Sequence, residues 1–263
     1  MTQEQLIQRL TEPLSLSPNA IIFELPGGTI NESYLLNDSD ADYMVKRFIG
    51  TDEFAIDRQD RFLLQQRLAT RKLAPKPLFL DQDQGLYVEQ WVHITKQQIP
   101  LFFDEMHIDL LAKTLKRIHN CIFDLPIIDL PKAWQGYSEK LSHMSGEQKE
   151  SLLALSHKWQ ALCDVSRSDN RLCHNDLAWA HIGGASQLIL DWEYAGMGNR
   201  YFDLASCAKI NQLDTFQTDL LIEKYAKHTK IEHQEVKEKT IQQFEFVNFT
   251  YDLWFDVLKQ NLN

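Results

Sequence analysis

Cysteine is scarce: four residues in 263, at positions 121, 163, 173 and 207. They are scattered and too few to staple a chain of this length. That excludes a disulfide framework and leads us to expect reduced thiols in a cytoplasmic protein. Long apolar runs are missing too, since none approaches the roughly 18 residues of a helical membrane span. The opening MTQEQLIQRLTEPL is polar and amphipathic, without the cationic start and apolar stretch of a secretory signal. Positive charge is in short supply, with 27 Lys and Arg against 37 Asp and Glu and a net charge of −10. Neither nucleic acid nor a membrane is therefore an expected partner. No G-x-S-x-G elbow, no G-x-x-x-x-G-K-[ST] loop and no C-x-x-C pair occurs. These absences argue against the α/β hydrolases, the P-loop nucleotidases and a zinc site built from Cys173, His174 and His181.

What remains is an ordinary globular composition, 44% hydrophobic and 24% charged, in a chain long enough to bury a full core. The first third is strand-like. Residues 20–37 read as two strands joined by a turn at Pro26, Gly27 and Gly28, residues 43–48 as a third, and residues 85–92 as a later one. Between them, Ile56, Leu63, Leu64 and Leu68 recur at near-helical spacing, and APKP at 74–77 reads as a helix stop. Beyond about residue 93, helical periodicity dominates: 104–120, 148–163 and the tail from 200 to 260, with short strands only near 173 and 187–191. A small antiparallel sheet with one helix, followed by a mostly helical part, is an α+β plan, divided into residues 1–92 and 93–263.

Phosphoryl transfer needs backbone donors over the phosphates, a cation to place them, a carboxylate for the metal and another for the attacking hydroxyl. The chain offers these in order: Gly27 and Gly28, Lys46 on the third strand, Asp176 after His174, and Asp191 at the end of a strand. Each alone has an ordinary structural explanation, such as a hairpin turn or a surface lysine. Their order is the signal.

The segments LCHNDLAWAHI (172–182) and LILDWEYAGMGNRYFDLAS (188–206) resemble the superfamily of choline kinases, thiamine kinases and aminoglycoside phosphotransferases. DWEYAG followed by FDLA is most similar to the choline/ethanolamine and thiamine kinase branch. LPGGTINESYLL, YMVKRF and AIDRQDRFLLQQRLATRKLAPKPLF extend the resemblance over most of residues 20–210. It implies a protein kinase-like bilobal fold, with a small antiparallel β N-lobe and a larger helical C-lobe. It also implies ATP and Mg2+ as cofactors. Lys46 would contact the phosphates, helped by Gly27, Gly28 and Asn31, while Glu89, Gln90 and Val92 would form the hinge beside adenine. Asp176, with His174, would be catalytic, Asp191 would bind the metal, and Asp203 would brace the catalytic loop.

Two positions depart from that pattern. Arg61 stands where the branch commonly has a Glu that pairs with the strand lysine, leaving Asp60 or Glu53 as substitutes. His181 stands where the metal-binding Asn is expected. Magnesium prefers oxygen, whereas imidazole suits Mn2+ and other transition ions better. Three readings stay open: a single Mg2+ on Asp191, a Mn2+ site with His181 as ligand, or a pseudokinase that binds without turnover. Trp179, Trp192, Glu193, Tyr194, Tyr201, Phe202 and Trp254 are candidate walls of a cationic pocket, although for any single aromatic among them, Trp254 above all, core packing is the favoured explanation. The expected activity is phosphorylation of a small cationic alcohol. Thiamine is slightly favoured over choline or ethanolamine, and an aminoglycoside is the remaining alternative.

Overall fold

A computed structural model describes residues 1–26, 31–39, 41–48, 57–93, 100, 102–184 and 186–262. The helices are α1 (Gln3–Leu14), α2 (Arg58–Thr70), α3 (Glu105–His119), α4 (Leu130–Lys140), α5 (Gly146–Val165), α6 (Arg200–Ile210), α7 (Thr215–Thr229) and α8 (His233–Leu262). The strands are β1 (Ile21–Leu25), β2 (Asn31–Asn37), β3 (Asp42–Phe48), β4 (Pro77–Asp81), β5 (Leu86–Gln90), β6 (Asn170–Cys173), β7 (Ile182–Gly183), β8 (Leu188–Ile189) and β9 (Gly196–Asn199). This is the expected α+β, protein kinase-like architecture of an antiparallel sheet and a helical part. The chain forms two compact units. The first gathers Met1–Asp52, Ile56–Gln97 and Ala180–Glu193; the second contains Gln98–Trp179 and Tyr194–Asn263. Residues 180–193 thus pack with the amino-terminal unit, although they follow residue 93 in sequence.

In the first unit, five antiparallel strands run in the order β1-β2-β3-β5-β4. Alternation gives the sheet two different faces. Ile22, Tyr34, Leu36, Val45, Leu86 and Val88 point to one side, where Leu6 and Leu10 of α1 complete a buried cluster. Helix α1 adds a second helix to the one expected here. Its N-terminus is closed by a capping box: the Thr2 hydroxyl accepts from Gln5 N–H, and Gln5 Oε1 accepts from Thr2 N–H. The other face carries Lys46 and Tyr87, which are directly opposed in register. Helix α2 starts at the Asp57 cap and buries Leu64, Gln65 and Leu68, while Leu63 stays exposed. Strand β4 follows it, beginning at the proline of the expected helix stop. A two-residue hairpin arm, β7 with β8, is tied on by the Ile189 N–H to Leu73 O bond at 2.7 Å. Gly183 has no side chain because Val92 fills the space; a Cβ there would lie 2.9 Å from Val92 Cγ1.

The second unit is built on aromatic packing. Trp134, Trp159, Phe202, Phe246, Val247, Leu253 and Val257 share one cluster, and the Trp134 indole N–H reaches Thr250 at 2.8 Å. Helix α4 gave little signal in sequence, since Pro131 and Gly136 dilute it, yet its Trp134 and Tyr137 are buried. The tail expected as helix from 200 to 260 is three helices. A capping box between Asp214 and Gln217 starts α7, and Lys230 in left-handed conformation ends it. Among the described residues, no helix is long and apolar enough to cross a membrane.

Candidate active site

Lys46 and Asp191 meet although 145 residues separate them. Lys46 Nζ donates to Asp191 Oδ1 at 2.6 Å. The lysine is held by strand β3, and the aspartate by the β7–β8 arm. The pairing of Ile182 with Ile189 continues as a bond from Leu190 N–H to His181 O at 2.8 Å, so the chain leaves the arm with Asp191 beside His181. Asp191 adopts φ of 63°, a left-handed conformation that Asp tolerates better than most residues. Burial opposes a charge on Lys46, but Asp191 and Glu193 beside it outweigh that and raise the ammonium above its ordinary range. His181 Nε2 lies 3.6 Å from Asp191 Oδ2.

Further charged side chains stand around this pair. Arg58 donates to Glu193 at 3.2 Å, and its guanidinium lies 3.8 Å above the centre of the Phe48 ring. Burial and the Asp191 charge lift Glu193 above the usual carboxylate range, against the pull of Lys46 and Arg58. Glu89 accepts from the Tyr87 hydroxyl at 2.7 Å and from Gln65 Nε2. These residues, with Arg61, line one solvent-open cavity. Among the described residues, the acids acting most strongly on Lys46 are Asp191, Glu193 and Glu89. Asp60, offered as a substitute partner, is not among them; its backbone N–H bonds the Asp57 cap. Glu53 lies outside the described residues.

In the second unit one carboxylate organises the loop after β6. Asp203 is completely buried in the first turn of α6 and accepts from His174 N–H at 2.9 Å and Asn175 N–H at 2.7 Å. A third bond, 3.0 Å long, comes from His119 Nε2. Burial alone would raise the Asp203 carboxyl, but the bond from His119, together with the loop N–H groups, holds it below its usual range. Burial holds His119 low as well, so its ring is neutral. That assigns the tautomer: Nε2–H donates to Asp203, and Nδ1 accepts from the Tyr225 hydroxyl at 2.6 Å. Asn175 has φ of 63°, its side chain donates to Tyr194 O at 2.9 Å, and its carbonyl accepts from Ser206 at 2.7 Å. The loop is pinned on both sides of the residue preceding Asp176.

A profile of the phosphotransferase enzyme family matches residues 22–238. The chain belongs to that family. Protein LicA of Haemophilus influenzae is 22% identical over 257 residues, covering 94% of this chain and 76% of LicA. The fold is also that of the choline kinase LicA from Streptococcus pneumoniae, with a TM-score of 0.76 at 20% identity, covering 99% of this chain and 92% of the other. A structure of LicA in complex with AMP gives 0.72 at 20% identity, with 98% and 90% covered.

In this phosphotransferase the residues singled out from sequence divide between the units. Lys46, Glu89, His181, Asp191, Trp192 and Glu193 belong to the first; His174, Asp176, Trp179, Tyr194 and Asp203 belong to the second. Gly27 and Gly28 lie outside the described residues, and Asn31 opens β2 opposite Phe48. Glu89 turns its carboxylate inward to Tyr87 and Gln65. The Gln90 N–H bonds Lys76 O at 2.9 Å, and Val92 packs on Gly183. The His174 ring is fully buried, and its Nδ1 accepts the Asp176 N–H at 3.3 Å. Trp192 is buried, with its indole N–H on Ile189 O at 2.7 Å. Trp179 is buried among Phe103 and His107, and Tyr201 and Phe202 are also core. Of the expected aromatic walls, Tyr194 and Trp254 keep exposure, joined by a 3.1 Å bond from the indole N–H to the hydroxyl.

Sequence reasoning passed over Gln65, Tyr87 and Tyr251. Tyr87 was findable, because it alternates with Glu89 on a strand whose partner carries Lys46. Tyr251 is held above its normal range by burial and by the nearby Asp176 charge.

Proposed function

We propose that this phosphotransferase moves the γ-phosphoryl group of ATP to the hydroxyl of a small cationic alcohol of the choline or ethanolamine type. The observation that carries the reading is the 2.6 Å bond between Lys46 and Asp191, within a family of phosphotransferases. Lys46 neutralises and orients phosphate oxygens. Asp176 accepts the proton of the substrate hydroxyl as its oxygen bonds to the γ-phosphorus and ADP departs. Asp191 and His181, a carboxylate and an imidazole 3.6 Å apart, suit one divalent ion, which when bound neutralises charge on the phosphates. The mixed donor set favours Mn2+ more than an all-oxygen site would.

The choline-type acceptor is supported by Tyr251, Trp254 and Tyr194 in the unit that holds Asp176, since aromatic faces attract quaternary or primary ammonium groups. It is also supported by likeness to a choline kinase. Trp179 is packed among Phe103 and His107, whereas Trp192 lines the cavity around Lys46 in the first unit.

ATP consumption measured with choline, ethanolamine, thiamine and an aminoglycoside, each with Mg2+ and with Mn2+, tests the reading. Turnover with choline or ethanolamine that Asp176→Ala abolishes is the expected result. No turnover with any acceptor and either metal, together with no ATP-induced thermal shift, overturns it. His181→Asn is expected to raise the rate with Mg2+ relative to Mn2+.

A further inference from the structure

Lys46 carries its charge inside the first unit, and its nearest partner has a second duty. On the reading above, Asp191 gives its carboxylate to a metal ion during the reaction. Glu193 already lies against Arg58 at 3.2 Å. Neither supplies Lys46 with an undivided counter-charge in the loaded enzyme.

Glu89 does. The register places Tyr87 opposite Lys46 and Glu89 opposite Met44, so Lys46, Tyr87 and Glu89 share one face of the sheet. All three, with Gln65, line the same cavity. The donors bonded to Glu89, the Tyr87 hydroxyl and the Gln65 amide, are neutral; they aim its carboxylate without cancelling its charge. Glu89 is itself buried, where an uncompensated carboxylate is costly. Among the influences that lower its pKa against the effect of burial, the charge of Lys46 is the first. Helix α2 contributes the amide of Gln65 to this arrangement. One turn earlier it presents Arg61, a cation, to the same cavity.

We propose that Glu89 is the positioning residue for Lys46: held by Tyr87 and Gln65, it keeps the ammonium aimed at the phosphates while Asp191 is committed to metal. This rests on the phosphotransferase reading. It makes the strand, rather than the helix, the source of the lysine's permanent counter-charge. Helix α2 then acts on the lysine indirectly, through the Gln65 amide.

A double-mutant cycle on Lys46→Met and Glu89→Gln, read as kcat and KM for ATP and as the ATP-induced thermal shift, tests it. Glu89→Gln is expected to lower kcat/KM for ATP by roughly ten- to hundredfold, the scale of a misplaced catalytic group. In the Lys46→Met background the same substitution is expected to change it less than twofold, because Glu89 acts through the lysine. Glu89→Asp, which keeps the charge but shortens its reach, is expected to fall measurably below the wild type while losing less than Glu89→Gln. Unchanged kinetics in a folded Glu89→Gln, or an equal loss with and without Lys46, overturns the proposal. If Glu89→Gln fails to fold, Glu89→Asp decides: a shorter acid that lowers kcat/KM in the wild-type background but not with Lys46→Met supports the coupling, and any other result overturns it. A Lys46→Met enzyme as active as the wild type overturns the underlying reading instead.

Discussion

The two units hold their site charges in opposite ways. Around Lys46, three cations (Lys46, Arg58, Arg61) and three carboxylates (Glu89, Asp191, Glu193) line one cavity, and each ion pair joins side chains from distant segments. Around Asp203, a single carboxylate is held by two backbone N–H groups and a neutral imidazole. Side-chain ion pairs can exchange partners when a charged ligand arrives, at the cost of moving a rotamer. Backbone donors cannot follow. Under the proposed function, the first arrangement would suit binding and release of a polyanion, and the second a loop that keeps Asp176 in one place.

Removing the anchors should expose that contrast, beginning with the most severe case. Asp203→Ala leaves two buried N–H groups and His119 without their acceptor. It is expected to cost about 3–5 kcal/mol in a denaturant titration, the range for breaking a buried charged interaction. Retention of wild-type stability would show that water or a neighbouring group replaces the carboxylate.

Acid should separate the units next. Asp203 has a folded pKa below its unfolded value, so the stability it adds is present above the unfolded value and lost as pH falls through the folded one. His119 is also depressed, and its contribution is lost as pH falls below the unfolded value of about 6.5. Glu89 is raised by burial, so acidification relieves its cost rather than adding one. Hydrogen exchange at mildly acidic pH should therefore show protection lost first near residues 174–176 and retained in β3 and β5. Simultaneous loss in both would contradict the comparison.

Gln65→Leu tests a middle case. It deprives Glu89 and the Pro75 carbonyl of a buried donor, and a loss of about 1–2 kcal/mol by thermal or chemical unfolding is expected. The smallest effect should come from Arg9→Ala. The Arg9 pair with Asp81 at 2.7 Å lies in the same unit as the Lys46 pair, but the arginine is half exposed. Such a pair contributes no more than about 0.5 kcal/mol and fades with added salt. A larger loss would show that distance alone, rather than burial, ranks the ion pairs here.

Much of this was legible in the residues, and the illegible part has a common cause. Strands β2, β3 and β5 follow alternation within a few residues, and α3 and α5 follow helical spacing; both are local properties. Helix α4 was missed because Pro131 and Gly136 weaken the local signal, while burial of Trp134 against Phe246 and Phe249 stabilises it from outside. The tail was read as continuous because its apolar spacing runs on. The breaks depend on the Asp214 capping box and on Lys230, the second of which has no strong turn signature.

The sequence by itself determined which chemical groups are present, in what order, and on which strand face Lys46 stands, because strand alternation is a property of the backbone. Only the tertiary structure decided that Asp191 reaches Lys46, that Glu89 turns inward to Tyr87 and Gln65, and that Trp179 is packed among Phe103 and His107. Each of these depends on which distant segment closes over a side chain. That choice is made by burial and charge compensation across the folded chain, and no run of neighbouring residues contains it.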